Sequence, residues 1–249
     1  MAEASAVTHC FSAARSGFRV LMYHAVGTPA DQDHQGIYSI SPALFEKHIR
    51  ALASFSEGVV DEIRQSRHAA SPLRIAVTFD DGYRDNLERA APILQELGIP
   101  FALFVSTAFT QSSNRGFLSP AQLRDLAKMP GVSIGTHGAS HCALTRCNDA
   151  KLNDELAGSK HYLEDLLGQA VDTMSYPFGA VDRRVRDAVE SAGYVMGFCS
   201  RFDINQADRD PLLLCRTDIL ATDSVRILKQ KLRGHWDWYK WRNPDPANQ

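Results

Sequence analysis

The stretch Ile75-Ala-Val-Thr-Phe-Asp80-Asp81-Gly82 decides the fold and opens the functional question with it. Its first half is a short apolar run of the kind buried in a parallel sheet, and it stops at two carboxylates and a glycine. Neighbouring side chains at a strand end point in different directions, so one carboxylate can hold a cation while the other stays free to move a proton. Alone, Asp-Asp-Gly at a strand end reads most often as a turn. The pair His137 and His141 in Ile134-Gly-Thr-His-Gly-Ala-Ser-His141 reverses that reading, because two imidazoles and a carboxylate are the ligand set of a catalytic metal site with a position open for water.

Around this stretch, short apolar runs alternate with segments of helical period, the pattern of a parallel sheet wrapped by helices. Strands are expected at Arg19–Tyr23, Gly58–Val60, Arg74–Phe79, Phe101–Val105, Val132–Gly135 and Tyr194–Phe198, with shorter ones at Thr173–Tyr176 and Leu212–Cys215. Ser41-Pro42 opens a helix running to about Phe55, since serine caps and proline is tolerated at the first helical position. Further helices are expected over Asn86–Leu97, near Ala150–Leu167 and over Val181–Ala192. The fold class is α/β in one domain: an N-terminal arm over 1–17, a barrel over 18–235 and a Trp-rich tail over 236–249, frayed after Trp241.

A chain of 249 residues, 44% of them hydrophobic, buries a substantial core. Its net charge of -2, with 27 basic against 29 acidic residues, leaves no footprint of nucleic-acid binding and suits a neutral polar substrate. The sequence has no transmembrane segment, and Met1-Ala-Glu-Ala-Ser lacks the basic-then-apolar order of a secretory signal. The expectation is cytoplasmic, or extracytoplasmic if a leader was removed. Five irregularly spaced cysteines favour reduced thiols, and Cys142 and Cys147 beside the histidines match no structural-zinc spacing.

Thr78-Phe-Asp-Asp-Gly82 and His137-Gly-Ala-Ser-His141 resemble the first two motifs of the polysaccharide deacetylases, the NodB-like carbohydrate esterases. Leu94-Gln-Glu-Leu-Gly-Ile-Pro-Phe-Ala-Leu-Phe104 and Tyr176-Pro-Phe-Gly179 extend the similarity over about Val20 to Tyr194. The resemblance implies a distorted (β/α) barrel, a divalent metal, zinc first, and hydrolysis of an N-acetyl or O-acetyl group on an amino-sugar polymer or oligosaccharide. By position it makes Asp80 the general base, and Asp81, His137 and His141 the metal ligands. It places the Phe178 backbone N–H on the oxyanion and Tyr176 beside the substrate.

Two places depart from the family form. Ser175 stands where the third motif begins with arginine, so a guanidinium from elsewhere must orient Asp80; Arg216 is the candidate and Arg84 its competitor. The usual Asp-x-x-Asp-Trp motif is missing, with Asp203 and Asp208 unassigned nearby. The proton donor to the leaving amine belongs to a Leu-x-x-His motif, matched by Leu21-Met-Tyr-His24 and Leu232-Arg-Gly-His235. His24 is favoured because it ends a strand, where such barrels gather their sites, and an early histidine resembles a permuted subset acting on poly-N-acetylglucosamine exopolysaccharides. Trp236, Trp238 and Trp241 suit sugar stacking or packing of the tail. Three alternatives stay open: a non-catalytic sugar-binding protein, a non-haem iron oxygenase and an amide hydrolase for a small non-sugar substrate.

Overall fold

The computed structural model describes residues 16–30, 33–56, 58–64, 72–242 and 245–248, so nearly all of the expected N-terminal arm lies outside the described residues. Ten strands form among the described residues: β1 (Phe18–Tyr23), β2 (Ala25–Val26), β3 (Ser39–Ile40), β4 (Gly58–Val60), β5 (Leu73–Phe79), β6 (Phe101–Val105), β7 (Val132–Thr136), β8 (Thr173–Ser175), β9 (Met196–Phe198) and β10 (Thr217–Asp218). The helices are α1 (Pro42–Ala53), α2 (Ala91–Glu96), α3 (Thr107–Gln111), α4 (Pro120–Ala127), α5 (Asp149–Asn153), α6 (Ser159–Leu167), α7 (Arg183–Ser191) and α8 (Val225–Leu232).

The main sheet runs β10-β1-β5-β6-β7-β8-β9, with β4 added on β5 and every pairing parallel. β5 is shared: its first half pairs with β4 from Leu73 to Ile75, its second with β6 from Val77 to Phe79. A parallel bridge from Phe198 to Leu214 joins the end of β9 to the residues ahead of β10, and the curled sheet becomes a distorted (β/α) barrel.

Alternate residues of the strands go to two faces. Leu21, Tyr23, Ile75, Val77, Phe79, Leu103 and Val105 pack in the cluster that includes Phe45, Ile49 and Leu94 of the helices. Val20, Ala76, Ala102, Phe104 and Phe198 make a separate cluster on the opposite, inner face. Burial on both faces is why these strands read as unbroken apolar runs.

Local chemistry sets the ends. The Ser41 side chain accepts from Leu44 N–H at 3.3 Å and Pro42 starts α1. The expected Asn86–Leu97 helix begins as a π turn over Asn86–Ala90, and the one from Ala150 is interrupted by a π turn over Asp154–Gly158. The strand expected at Leu212–Cys215 is a 3₁₀ turn over Pro211–Leu213, because Pro211 fixes φ and Asp210 caps the Leu212 N–H at 2.9 Å. Its strand forms just afterwards, at Thr217–Asp218. No helix among the described residues is long and apolar enough to cross a membrane.

Candidate active site

Register brings the chemistry to one rim. Tyr23 pairs with Phe79, so the next residues, His24 and Asp80, leave the sheet side by side, and the Asp80 N–H continues the ladder onto Tyr23 O at 3.0 Å. Val105 pairs with Thr136 two strands along, and the His137 N–H reaches Val105 O at 2.8 Å. These are C-terminal strand ends, where barrels of this kind carry their sites.

At that rim one ligand atom each from Asp81, His137 and His141 lies within 4.8 Å of the others. Asp81 Oδ1 is 3.5 Å from Nε2 of His137 and 3.3 Å from Nε2 of His141. The Nδ1 of His137 lies 2.9 Å from the carbonyl oxygen of Ser175; a carbonyl only accepts, so the ring proton sits on Nδ1 and the Nε2 lone pair faces Asp81. Burial pushes the His137 imidazole down to about 3, outweighing the attraction of Asp80 and keeping the ring neutral as coordination requires. Two imidazoles and a carboxylate converging on one point fit a divalent cation.

Among the described residues, the non-glycines with positive φ are Asp81 (74°), His141 (55°) and Phe178 (59°), and all three belong to this cluster. Each conformation costs on the order of 1–3 kcal/mol and persists only where surrounding structure enforces it. For Asp81 the left-handed turn swings its carboxylate toward the histidines while Asp80 points into the barrel. For His141 the enforcing group is Glu155, fully buried, whose carboxylate accepts from Ala139 N–H at 2.7 Å, Ser140 N–H at 2.9 Å and the Ser140 hydroxyl at 2.5 Å. Gly138 (φ 69°) is required in that loop, because a Cβ there would sit 3.0 Å from Glu155 Oε2.

Asp80 is 2% exposed and held by a fork: Arg216 Nη1 donates to Oδ1 and Nη2 to Oδ2, both at 2.7 Å. Arg216 is fully buried, its Nε donates to Cys199 O at 3.2 Å, and Nη2 lies 3.4 Å from the Ser175 hydroxyl. The small serine therefore stands beside a guanidinium arriving from the residue before β10. Burial alone would raise the Asp80 carboxyl, but Arg216, with weaker help from His137, holds it far below the usual carboxylate range. The competing Arg84 is 40% exposed, pairs with Glu88 at 3.2 Å and does not orient Asp80.

His24 is half-buried with its ring 4.7 Å from Tyr38, and its positive form acts electrostatically on Asp80. The turn after Asp81 holds it there. Asn86 Nδ2 donates to His24 O at 2.9 Å, and Asp85 Oδ2 accepts from the N–H groups of Val26 at 2.9 Å and Thr28 at 2.8 Å. His235 is exposed just past the end of α8. Phe178 is 60% exposed with its ring 4.7 Å from His141. Tyr176 corrects the expectation that it lines the substrate: it is fully buried, its hydroxyl donates to Leu212 O at 2.7 Å and its N–H to Phe198 O at 3.0 Å, so both donors are engaged in the core. Cys142 and Cys147 are half-buried thiols 3.4 Å apart and contribute nothing to the cluster of three ligands.

A sequence model of the family described as polysaccharide deacetylase matches residues 67–197. The chain belongs to the polysaccharide deacetylase family. The Streptococcus pyogenes deacetylase PplD, solved in complex with acetate, shares the fold with a TM-score of 0.77 at 22% identity, over 86% of this chain and 97% of that one. The poly-β-1,6-N-acetyl-D-glucosamine N-deacetylase of Staphylococcus aureus is 25% identical over 176 residues, 65% of this chain and 61% of that protein. YxkH of Bacillus subtilis is 30% identical over 123 residues, 49% of this chain and 43% of that protein. The chain thus spans about half the length of the curated relatives it matches.

Some positions in this member of the family were not singled out by sequence reasoning. Glu155, Asp85 and Asn86 look like ordinary helical polar residues until the structure shows which loops they hold. Asp218, at the end of β10 and in register with Met22, is another: burial raises its carboxyl to about 6. A carboxylate closing a short strand beside the one that carries His24 was the available signal.

Proposed function

We propose that the chain is a metal-dependent hydrolase that removes acetyl groups, N-acetyl in the first instance, from an amino-sugar polymer or its precursor. The observation that carries this is the division between two adjacent aspartates: Asp81 joins two histidines, while Asp80 is clamped in the Arg216 fork next to them. Family membership and the named activity of the Staphylococcus aureus relative support the acetyl-sugar substrate.

A divalent cation held by Asp81, His137 and His141, zinc being the proposed ion, would supply the Lewis acidity that polarises the acetyl carbonyl and acidifies an attacking water. Asp80 takes the proton of that water. Its depressed carboxyl makes it a weak base but one that is always ionised and so always able to accept a proton. Arg216 fixes the direction of its lone pairs. His24, from the neighbouring strand end, protonates the leaving amine, and the left-handed turn at Phe178 offers its backbone N–H to the developing oxyanion. Arg216 also answers one of the two grounds for a non-catalytic sugar-binding reading, the missing motif arginine, and leaves the other, the missing Asp-x-x-Asp-Trp motif, in place.

The test is acetate release from N-acetylglucosamine oligomers by metal-loaded protein, before and after chelation. Release that stops with the chelator and returns with zinc supports the reading. No release from any acetylated glycan, with metal bound, refutes it.

A further inference from the structure

The C-terminal segment packs the wrong way round for a structural cover. Three of its charged side chains face the barrel: Asp237 meets the buried Arg19 at 2.8 Å, Lys240 meets Asp203 at 3.2 Å, and Asp245 meets Arg209 at 2.8 Å. Arg201 adds a bond to Lys240 O at 3.0 Å. Two of its three tryptophans face water instead, Trp238 being 50% and Trp241 78% exposed. A tail that served only to shield the barrel would bury its rings and leave its charges in solvent.

The rings also have a direction. Trp236 and Trp238 stack with centroids 6.4 Å apart and 23° between planes, and Trp238 meets Tyr239 edge-on at 5.6 Å. Tyr239 lies close enough to Tyr38 to act on its hydroxyl electrostatically, and Tyr38 packs at 4.7 Å on His24. Ring contacts thus join Trp236, Trp238 and Tyr239, and Tyr239 comes within electrostatic reach of the Tyr38 that packs on His24 at the active-site rim. Among the described residues, the only other phenylalanine or tryptophan at least half exposed is Phe178, on the His141 side of the same site.

We propose that Trp238, with Trp241 beyond it, is a stacking platform for pyranose rings of the substrate polymer, at a distance from the unit being deacetylated. This extends the glycan-deacetylase reading and rests on it. Pyranose rings present apolar C–H faces that suit flat, rigid side chains, and a polymer needs ordering at more than its reacting unit. A membrane surface is the competing partner, since Arg242 lies over the Tyr239 ring at 4.9 Å and Lys231 over Trp236 at 5.6 Å, as basic side chains of an interfacial segment do; the nearness of Tyr239 to Tyr38, which packs on His24, favours the glycan.

The experiment uses the full chain, a β-1,6-linked N-acetylglucosamine pentamer and 4-nitrophenyl acetate. With Trp238→Ala, KM for the pentamer is expected to rise about tenfold with kcat little changed, while turnover of the small ester stays the same and Trp238→Phe restores most of the loss. The pentamer quenches tryptophan fluorescence of the wild type and not of Trp238→Ala, a readout that needs no turnover and so separates this platform from the deacetylase reading itself. An unchanged pentamer KM and quench in Trp238→Ala/Trp241→Ala overturns the platform. So does an equal loss on the small ester, which would make the tail structural. Loss of binding to phosphatidylglycerol vesicles with an unaltered pentamer KM overturns it in favour of a membrane contact.

Discussion

Asp80 and Asp81 differ in duty because they differ in backbone: the φ of 74° at Asp81 turns one carboxylate to the histidines and leaves the other in the Arg216 fork. Both partners of that fork are buried, so removing one leaves an uncompensated charge. Arg216→Met should destabilise the fold by about 3–5 kcal/mol in denaturant unfolding. It should also lower kcat on the order of a hundredfold and move the acid limb of the pH–rate profile upward, because the buried Asp80 carboxyl loses the group that depresses it. An acid limb that stays in place in Arg216→Met would show that Asp80 does not set it. The residue types of this site were legible in sequence, including Arg216 as a candidate. Choosing it over Arg84 was not, since only the fold shows that one guanidinium is buried against Asp80 while the other is 40% exposed against Glu88.

At the scale of elements, the histidine loop is shaped by a helix it never joins. Glu155 sits on the π turn between α5 and α6, and the extra residue of that turn aims its carboxylate at Ala139 and Ser140. Glu155→Gln keeps the size and loses the charge, and should weaken zinc binding by about 10- to 100-fold in a chelator competition with little change in secondary structure by circular dichroism. Unaltered zinc affinity would mean the loop holds itself. The alternation of strands and helices was readable from apolar periodicity and the Ser41-Pro42 cap. The π turns were not, because one inserted residue barely disturbs a 3.6-residue pattern. Pro211 and Asp210 were in view, and the apolar run beside them concealed the turn they make.

For the whole molecule, the balance of buried carboxyls sets the response to pH. Asp80 and Glu155 are depressed in the fold, so their contribution is fully present above the ordinary carboxylate range and is lost as pH falls through their folded values. Asp218 has the opposite sign. Burial raises it from 3.8 to about 6, so the unfolded chain gives up this proton first and the native state is penalised increasingly between those values. Asp218→Asn should therefore stabilise the protein at pH 7 by on the order of 2 kcal/mol and by almost nothing near pH 4, as measured by urea unfolding at both. A gain equal at the two pH values would assign the effect to packing instead. Sequence placed the tail apart from the barrel and left its end frayed; ion pairs from Asp237, Lys240 and Asp245 fasten it, and partners so distant along the chain leave no local pattern.

In the proposed division of labour Asp81 holds metal while Asp80 moves the proton, and the Asp80→Asn variant separates the two through zinc content and acetate release from N-acetylglucosamine oligomers measured on one preparation. Asp80→Asn should bind zinc as the wild type does with turnover lowered at least a thousandfold, whereas His137→Ala should lose zinc and turnover together. Acetate release by Asp80→Asn near the wild-type rate, or loss of zinc along with activity, would contradict that division.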